Sequence, residues 1–153
     1  MGLRALVFLV AAVAGTVGAH ADEREAPEMA IIVNSKNPTR ALAEAELGLL
    51  FASSRRSWSD GQAVVCFNLP PGHPLRVEFD RAVLHMEPDE VGRFWIDQRI
   101  RGTAKPPRQV EDPQIMLHIV ARLPGAIGYV PATLVDGSVN VVARVRRGKV
   151  TPP

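Results

Sequence analysis

The chain has 153 residues, 46% of them hydrophobic, with a formal net charge of +2 and one cysteine. Near-neutral charge, with basic residues interleaved among acids, argues against a nucleic-acid partner, and a lone cysteine excludes an intramolecular disulfide. Once an N-terminal leader is set aside, roughly 130 residues remain, enough to bury one core and too few for two lobes.

Residues 1–21 read as a signal peptide. Arg4 gives a positive start, residues 6–14 an apolar centre, and Ala19, His20 and Ala21 a small-x-small cleavage site. Cleavage before Asp22 is expected, with delivery to the periplasm or the exterior. The apolar run is interrupted by Gly15 and Gly18 and is short for a membrane span, and no later segment suits one. Loss of Arg4 lowers the formal charge from +2 to about +1. Residues 22–28 are a short, charged, flexible lead-in to a single domain expected over residues 29–149, with a tail at 150–153.

Residues 29–33 (MAIIV) form a continuous apolar run with β-branched members, the pattern of a strand buried on both faces. The NSKNP stretch that follows is turn chemistry. Polar groups beyond a buried strand are also where α/β proteins hold ligands, so Ser35, Lys36 and Asn37 are site candidates as well as turn residues. A helix is predicted over residues 40–52, with Leu42, Leu47, Leu50 and Phe51 apolar and Glu44 and Glu46 near its positive end. Residues 53–57 (SSRRS) break it, and Trp58, Asp60 and Gly61 mark a turn. Residues 63–67 then read as a strand in which Cys66 is a buried small hydrophobe and not a nucleophile.

Residues 67–74 (FNLPPGHP) carry the chain from that strand through a Pro/Gly loop to a helix start. Pro74 suits the first helical position, and Leu75, Phe79, Ala82, Val83 and Met86 then share one face. A helix start carries free N–H groups and the positive end of the dipole. Gly72, His73, Leu75 and Arg76 are therefore candidate oxyanion ligands, facing Ser35 and Asn37 from the end of the first strand; the alternative is a helix start that only packs.

Pro88 opens another helix, with Asp89 and Glu90 in its first turn, Val91, Phe94, Trp95 and Gln98 on one face, and Gly102 as its stop. Phe94 and Trp95 are expected in the core. Residues 105–108 are extended, and Asp112 caps a helix from Pro113 that turns Met116, Ile119, Val120 and Leu123 inward until Pro124 and Gly125 end it. Residues 126–130 (AIGYV) are a strand whose glycine marks a close backbone approach, Asp136 and Gly137 a turn, and residues 139–145 the last strand. Arg144, Arg146, Arg147 and Lys149 read as a solvated basic end. Strands alternating with helices predict an α/β sheet covered by helices.

Catalytic constellations are scarce. His73, His85 and His118 are the histidines outside the leader, and none has a partner at metal-ligand spacing on one helix face, so no metal and no cofactor are expected. Asp89 and Glu90 favour the helix dipole instead of forming an acid–base pair. The chain reads as non-enzymatic.

Several pieces recur together: residues 31–34 (IIVN), Leu47 with Leu50 and Phe51, the WSDG turn at 58–61, Phe94 and Trp95 followed by Gly102 and Pro106, and residues 124–130 (PGAIGYV). In order and spacing they resemble the phosphate ABC transporter substrate-binding proteins of the type 2 periplasmic binding protein superfamily, as a small single-lobe member, over most of residues 29–130. The resemblance implies an α/β fold that is a single lobe of the periplasmic-binding-protein-like fold, a mixed central sheet with helices on both faces, in an exported protein that captures phosphate or another small oxyanion and passes it to an ABC permease. The stretch that corresponds to the family's phosphate-seating loop is residues 69–74 (LPPGHP), which has no hydroxyl, and Pro74 has no N–H to donate.

An exposed helix N-terminus offers an anion roughly 0.3–1 kcal/mol, and up to about 2 when partly buried. A charge-assisted hydrogen bond from Arg76 adds about 1.5–3 kcal/mol, and the total reaches roughly the 4 kcal/mol of millimolar binding before ordering costs. Tight capture would need a second surface, from another copy of this chain in a homodimer or from an envelope protein partner. The rival reading is an envelope interaction or assembly module that reuses the binding-protein fold without a ligand.

Overall fold

The computed structural model describes residues 28–153. The expected signal peptide, its cleavage site and the lead-in up to residue 27 lie outside the described residues. In chain order the elements are β1 (Met29–Asn34), α1 (Glu44–Phe51), β2 (Val65–Asn68), α2 (Pro74–Phe79) running into a π-helical turn (Asp80–Leu84), α3 (Pro88–Ile100), β3 (Arg108–Gln109), α4 (Pro113–Arg122), β4 (Ala126–Pro131), a 3-10 turn (Ala132–Leu134), β5 (Val139–Arg146) and β6 (Lys149–Thr151). Among the described residues no helix is long and apolar enough to cross a membrane.

The strands form one mixed sheet in the order β3-β2-β4-β1-β5-β6. β1 runs antiparallel to both its neighbours, β4 and β5, whereas β2 runs parallel to β3 and β4. Every residue of β1 is buried, which is what an unbroken apolar run at the centre of a doubly covered sheet requires.

Neighbouring residues of β4 show that both faces are covered, because successive side chains of a strand point to opposite faces. Gly128 faces α4: a Cβ built there would lie 2.6 Å from Met116 Sδ, so only glycine lets the helix pack this close. Tyr129 faces the other way, its ring stacked on Phe79 at 4.2 Å between centroids, and Phe51 of α1 lies 4.5 Å from Phe79. The glycine expected to mark a close approach is thus the α4 contact.

Several boundaries differ from those expected. α1 starts at Glu44 and not at residue 40, because the Leu42 N–H is taken by Val142 O and holds the preceding segment extended; Glu46 then caps the helix through the Ala43 N–H. β2 is shifted toward Asn68, since Ala63 is spent on an isolated bridge to Ser57. The helix from Pro74 ends at His85 in the left-handed conformation (φ 55°), which takes Met86 off the predicted face.

Residues 149–151, placed partly in a tail by the sequence, form β6 instead. Arg147 and Gly148 both adopt positive φ, the geometry of a two-residue hairpin turn, and fold the chain back onto β5. Arg144 and Arg146 do not simply face solvent: both bind the Glu28 carboxylate, at 3.0 and 2.6 Å, and tie the start of β1 to β5.

α3 departs most from expectation. Val91 and Trp95 are buried on it, but neither belongs to the continuous core, Phe94 is half-buried, and Ile96 and Ile100 are exposed. Trp95, expected in the core, instead covers a cavity.

A cavity closed by a buried Arg–Asp pair

That cavity, of about 280 Å³, lies beyond the carboxyl ends of the parallel strands β2 and β3, where Asn68 and Gln109 line it. Arg76 and Asp80 form one wall and Trp95, with Val91 and Pro88, another. Four residues apart on α2 and its π continuation, Arg76 and Asp80 fall on the same helical face.

Both are buried, and Arg76 Nε donates to Asp80 Oδ2 at 2.6 Å. Arg76 Nη1 donates to the Leu69 carbonyl at 2.9 Å, which fixes the guanidinium against the loop after β2. Its Nη2 has no acceptor among the described residues. Asp80 Oδ1 is buried with no hydrogen-bond donor. Burial pushes the Asp80 carboxyl above its ordinary range, opposed by the charge and hydrogen bond of Arg76.

A short relay orients the strand end. The Leu69 N–H donates to Tyr129 Oη at 3.3 Å, so the tyrosine proton is directed to Asn68 Oδ1. This turns the Asn68 amide so that its Nδ2 keeps two donors, for which no acceptor exists among the described residues. Burial raises the Tyr129 pKa, so the phenol stays protonated and serves as a fixed donor. The cavity is therefore lined by Arg76 and Asn68, each with an unpaired donor, and by Asp80, whose buried Oδ1 has no donor.

Of the residues expected to bind a ligand, Arg76 alone lines this cavity. Leu75 is part of the core, and Gly72 is exposed in the loop. His73 caps α2 by accepting the Leu75 N–H on Nδ1 at 3.2 Å, so one donor expected to meet an anion is already used.

Ser35 and Asn37 do not face these residues. β1 and β2 run in opposite senses relative to β4: Val33 pairs with Ile127 near the start of β4, as Cys66 does, and β2 then runs on toward Tyr129 while β1 leaves at the other edge. The ends of the two strands therefore lie at opposite edges of the sheet. There Asn34 ties the turn to α4 through the Val120 and Ala121 carbonyls, Ser35 O accepts from Asn140, and Asn37 Oδ1 accepts the Thr39 N–H.

Sequence reasoning missed Asn68, Asp80, Trp95 and Gln109 as site residues. The Arg76–Asp80 spacing was the available signal, since i and i+4 side chains meet on a helix. Elsewhere the Cys66 thiol is pushed up to about 12 by burial, which leaves it protonated and unreactive at neutral pH. Among the described residues no group of three or more His, Cys, Asp or Glu side chains converges on a metal-sized site.

No protein-family model matches the chain. No curated protein matches it in sequence. Its fold does match solved structures, with TM-scores of 0.60–0.62 for three of them. One, from Clostridium perfringens, is assigned as a phosphate ABC transporter substrate-binding protein and holds phosphate; it is 18% identical, with 77% of this chain aligned to 46% of that one at a TM-score of 0.62. An ABC-type phosphate transport receptor from Vibrio cholerae is 18% identical over 76% of this chain and 45% of its own at 0.61, and PstS from Borrelia burgdorferi 12% identical over 76% and 47% at 0.60. The chain has the periplasmic-binding-protein-like fold and spans less than half the length of each of these structures.

The motifs that carried the sequence resemblance are joined in this fold. Trp58, buried in the WSDG turn, donates its ring N–H to Gly125 O at the head of the PGAIGYV strand, at 3.0 Å.

Proposed function

We propose that this chain is an exported, non-enzymatic solute-binding lobe that takes a small protonated oxyanion, with phosphate as the reference case, weakly in the Arg76–Asp80 cavity. The observation that carries this reading is the buried, donor-free Asp80 Oδ1 beside a guanidinium with an unused N–H. A phosphate retaining a proton supplies both halves: its oxygens accept from Arg76 and Asn68, and its O–H donates to Asp80. Sulfate at neutral pH has no such proton.

Arg76 and Asp80 largely cancel each other's charge, so the cavity offers an anion directed hydrogen bonds more than net attraction. Binding near the millimolar range, about 4 kcal/mol, is what so few contacts support once ordering is subtracted. Isothermal titration of the full chain with phosphate and with sulfate tests the reading. Phosphate is expected to bind more tightly, Arg76→Ala to remove the binding, and Asp80→Asn to erase the preference. Equal affinity for the two anions in the wild type, or no heat with either, overturns it.

The rival reading, an envelope interaction module, draws support from α3, where Ile96 and Ile100 are 59% and 80% exposed one turn apart. A stable protein partner lost on Ile96→Ser with Ile100→Ser, without any anion response, would favour it. Handover to an ABC permease remains part of the solute-binding proposal and needs a second surface as well.

A further inference from the structure

The Arg76 cavity has a neighbour on the other side of the loop formed by residues 102–108. There the N-terminal half of β2, the end of α1 and this loop enclose a larger recess of about 590 Å³. Its floor is apolar, built from Leu50, Val65 and Cys66. Its rim is basic: Arg55, Arg56, Arg99, Lys105 and Arg108 line it, and no acidic residue does.

Most of these cations have no carboxylate partner. Arg55 is paired with Glu46 at 3.4 Å, but Arg56 spends its hydrogen bonds on the carbonyls of Ser53 and Thr103. Arg99, Lys105 and Arg108 have no side-chain partner among the described residues. Like charges gathered without counter-ions repel, a cost that a bound polyanion would remove.

The walls are fastened to each other. Arg56 Nη2 donates to Thr103 O at 2.6 Å, and Ser53 Oγ donates to Lys105 O at 2.9 Å. These bridges hold the loop of residues 102–108 against the segment after α1 and so fix one side of the recess. Its volume lies within the roughly 300–1,000 Å³ of small-molecule sites. A single orthophosphate would leave the apolar floor uncovered and reach only part of the rim.

We infer that this recess is a second ligand site, for an organic polyphosphate: a body with an apolar face carrying two or more phosphates. The body covers the partly buried Val65 and Cys66, and the phosphates meet the guanidiniums of Arg99 and Arg108 and the ammonium of Lys105. Guanidinium forks match phosphate oxygens two at a time, which favours phosphates over isolated carboxylates. The site stands independently of the Arg76 cavity, with which it shares only the loop prolines.

The test is isothermal titration of the full chain, in magnesium-free buffer, with tripolyphosphate, with ATP as the same triphosphate on an apolar-faced body, and with a hexaglutamate peptide. ATP is expected to bind several-fold more tightly than tripolyphosphate, both to weaken with added salt, and hexaglutamate to bind least. The exposed-residue variant Arg99→Ala/Lys105→Ala/Arg108→Ala should lose at least tenfold in ATP affinity with an unchanged melting temperature, whereas Arg76→Ala should keep it. No saturable ATP binding, ATP binding unaffected by the triple variant, or hexaglutamate binding more tightly than ATP would each overturn the inference. Failure of phosphate to bind at Arg76 would leave it standing.

Discussion

Arg76 and Asp80 are a structural risk as a buried ion pair and, on the proposed reading, also the device that recognises the ligand. A buried ion pair returns little net stability, but breaking it strands a charge, at about 3–5 kcal/mol. Arg76→Ala is therefore expected to lower stability by about that amount, and Arg76→Met combined with Asp80→Leu to recover most of it, as urea unfolding of the single and double variants would show. The pH dependence follows from the raised Asp80 pKa. The folded chain holds this proton more readily than the unfolded chain does. The contribution is fully present below the unfolded value of 3.8 and is lost as pH rises through the folded pKa. Asp80→Asn should remove that falling limb, measured as the difference between wild-type and variant unfolding free energies across the mildly acid range. Gly125 is a separate single-residue constraint, because a Cβ there would lie 2.2 Å from the Ala63 carbonyl oxygen, a backbone atom. Gly125→Ala should cost about 3 kcal/mol or more, at the upper end of overpacking. Gly128→Ala should cost less, since its neighbour is the flexible Met116 side chain, and thermal unfolding of the two variants would rank them.

Among the elements, α3 and α4 make opposite use of similar starts. Each begins at a proline behind an acidic residue, but Asp112 caps α4 with its own carboxylate, whereas at α3 the Glu90 carboxylate accepts the Glu87 N–H. α4 lays Met116 and Val120 on β4 and becomes part of the core, whereas α3 inserts only Val91 and Trp95, and these close a cavity outside it. Truncating a side chain that already borders a void removes its transfer energy but creates little new cavity. Trp95→Ala is accordingly expected to cost about 1.5–3 kcal/mol, and Phe79→Ala, in the aromatic stack with Tyr129, about 3–5 kcal/mol. Denaturant midpoints of the two variants check the order, and hydrogen exchange in α3 should be faster than in α4. The π-helical turn after α2 belongs to the same account. It carries Asp80 into the cavity before His85 stops the helix.

For the whole molecule, the described sheet and helices align with less than half of each similar structure. On the proposed single-lobe reading, a ligand at its strand ends meets one wall where a two-lobed clamp would supply two. Weak binding by the free chain, and tighter binding once a second surface joins, is the expected consequence. Titration at two protein concentrations tells them apart, because a second copy would make the affinity depend on concentration. Export is the other molecular-scale expectation. Material recovered from the periplasm or medium should have an intact mass beginning at Asp22, and recovery of the full-length chain from membranes would contradict the leader reading.

Periodicity and turn chemistry were enough to place β1, β2, β4, β5 and the four α-helices to within a few residues, but not the edge strands β3 and β6. The unbroken run in β1, the prolines at 74, 88 and 113, and the glycines at 102 and 125 are local signals whose physics acts within a few residues. The same sequence could not say which strand ends share an edge of the sheet. That depends on β1 and β2 running in opposite senses against β4, and it separates Ser35 and Asn37 from Arg76 although all three follow apolar strands. Nor could it say that Trp95 closes a cavity, or that cations scattered from Arg56 to Arg108 line one recess, because both depend on where distant segments pack. Local sequence determined the elements, since hydrogen bonding and side-chain spacing are short-range. Tertiary structure decided the sites, since strand direction and long-range packing alone bring their residues together.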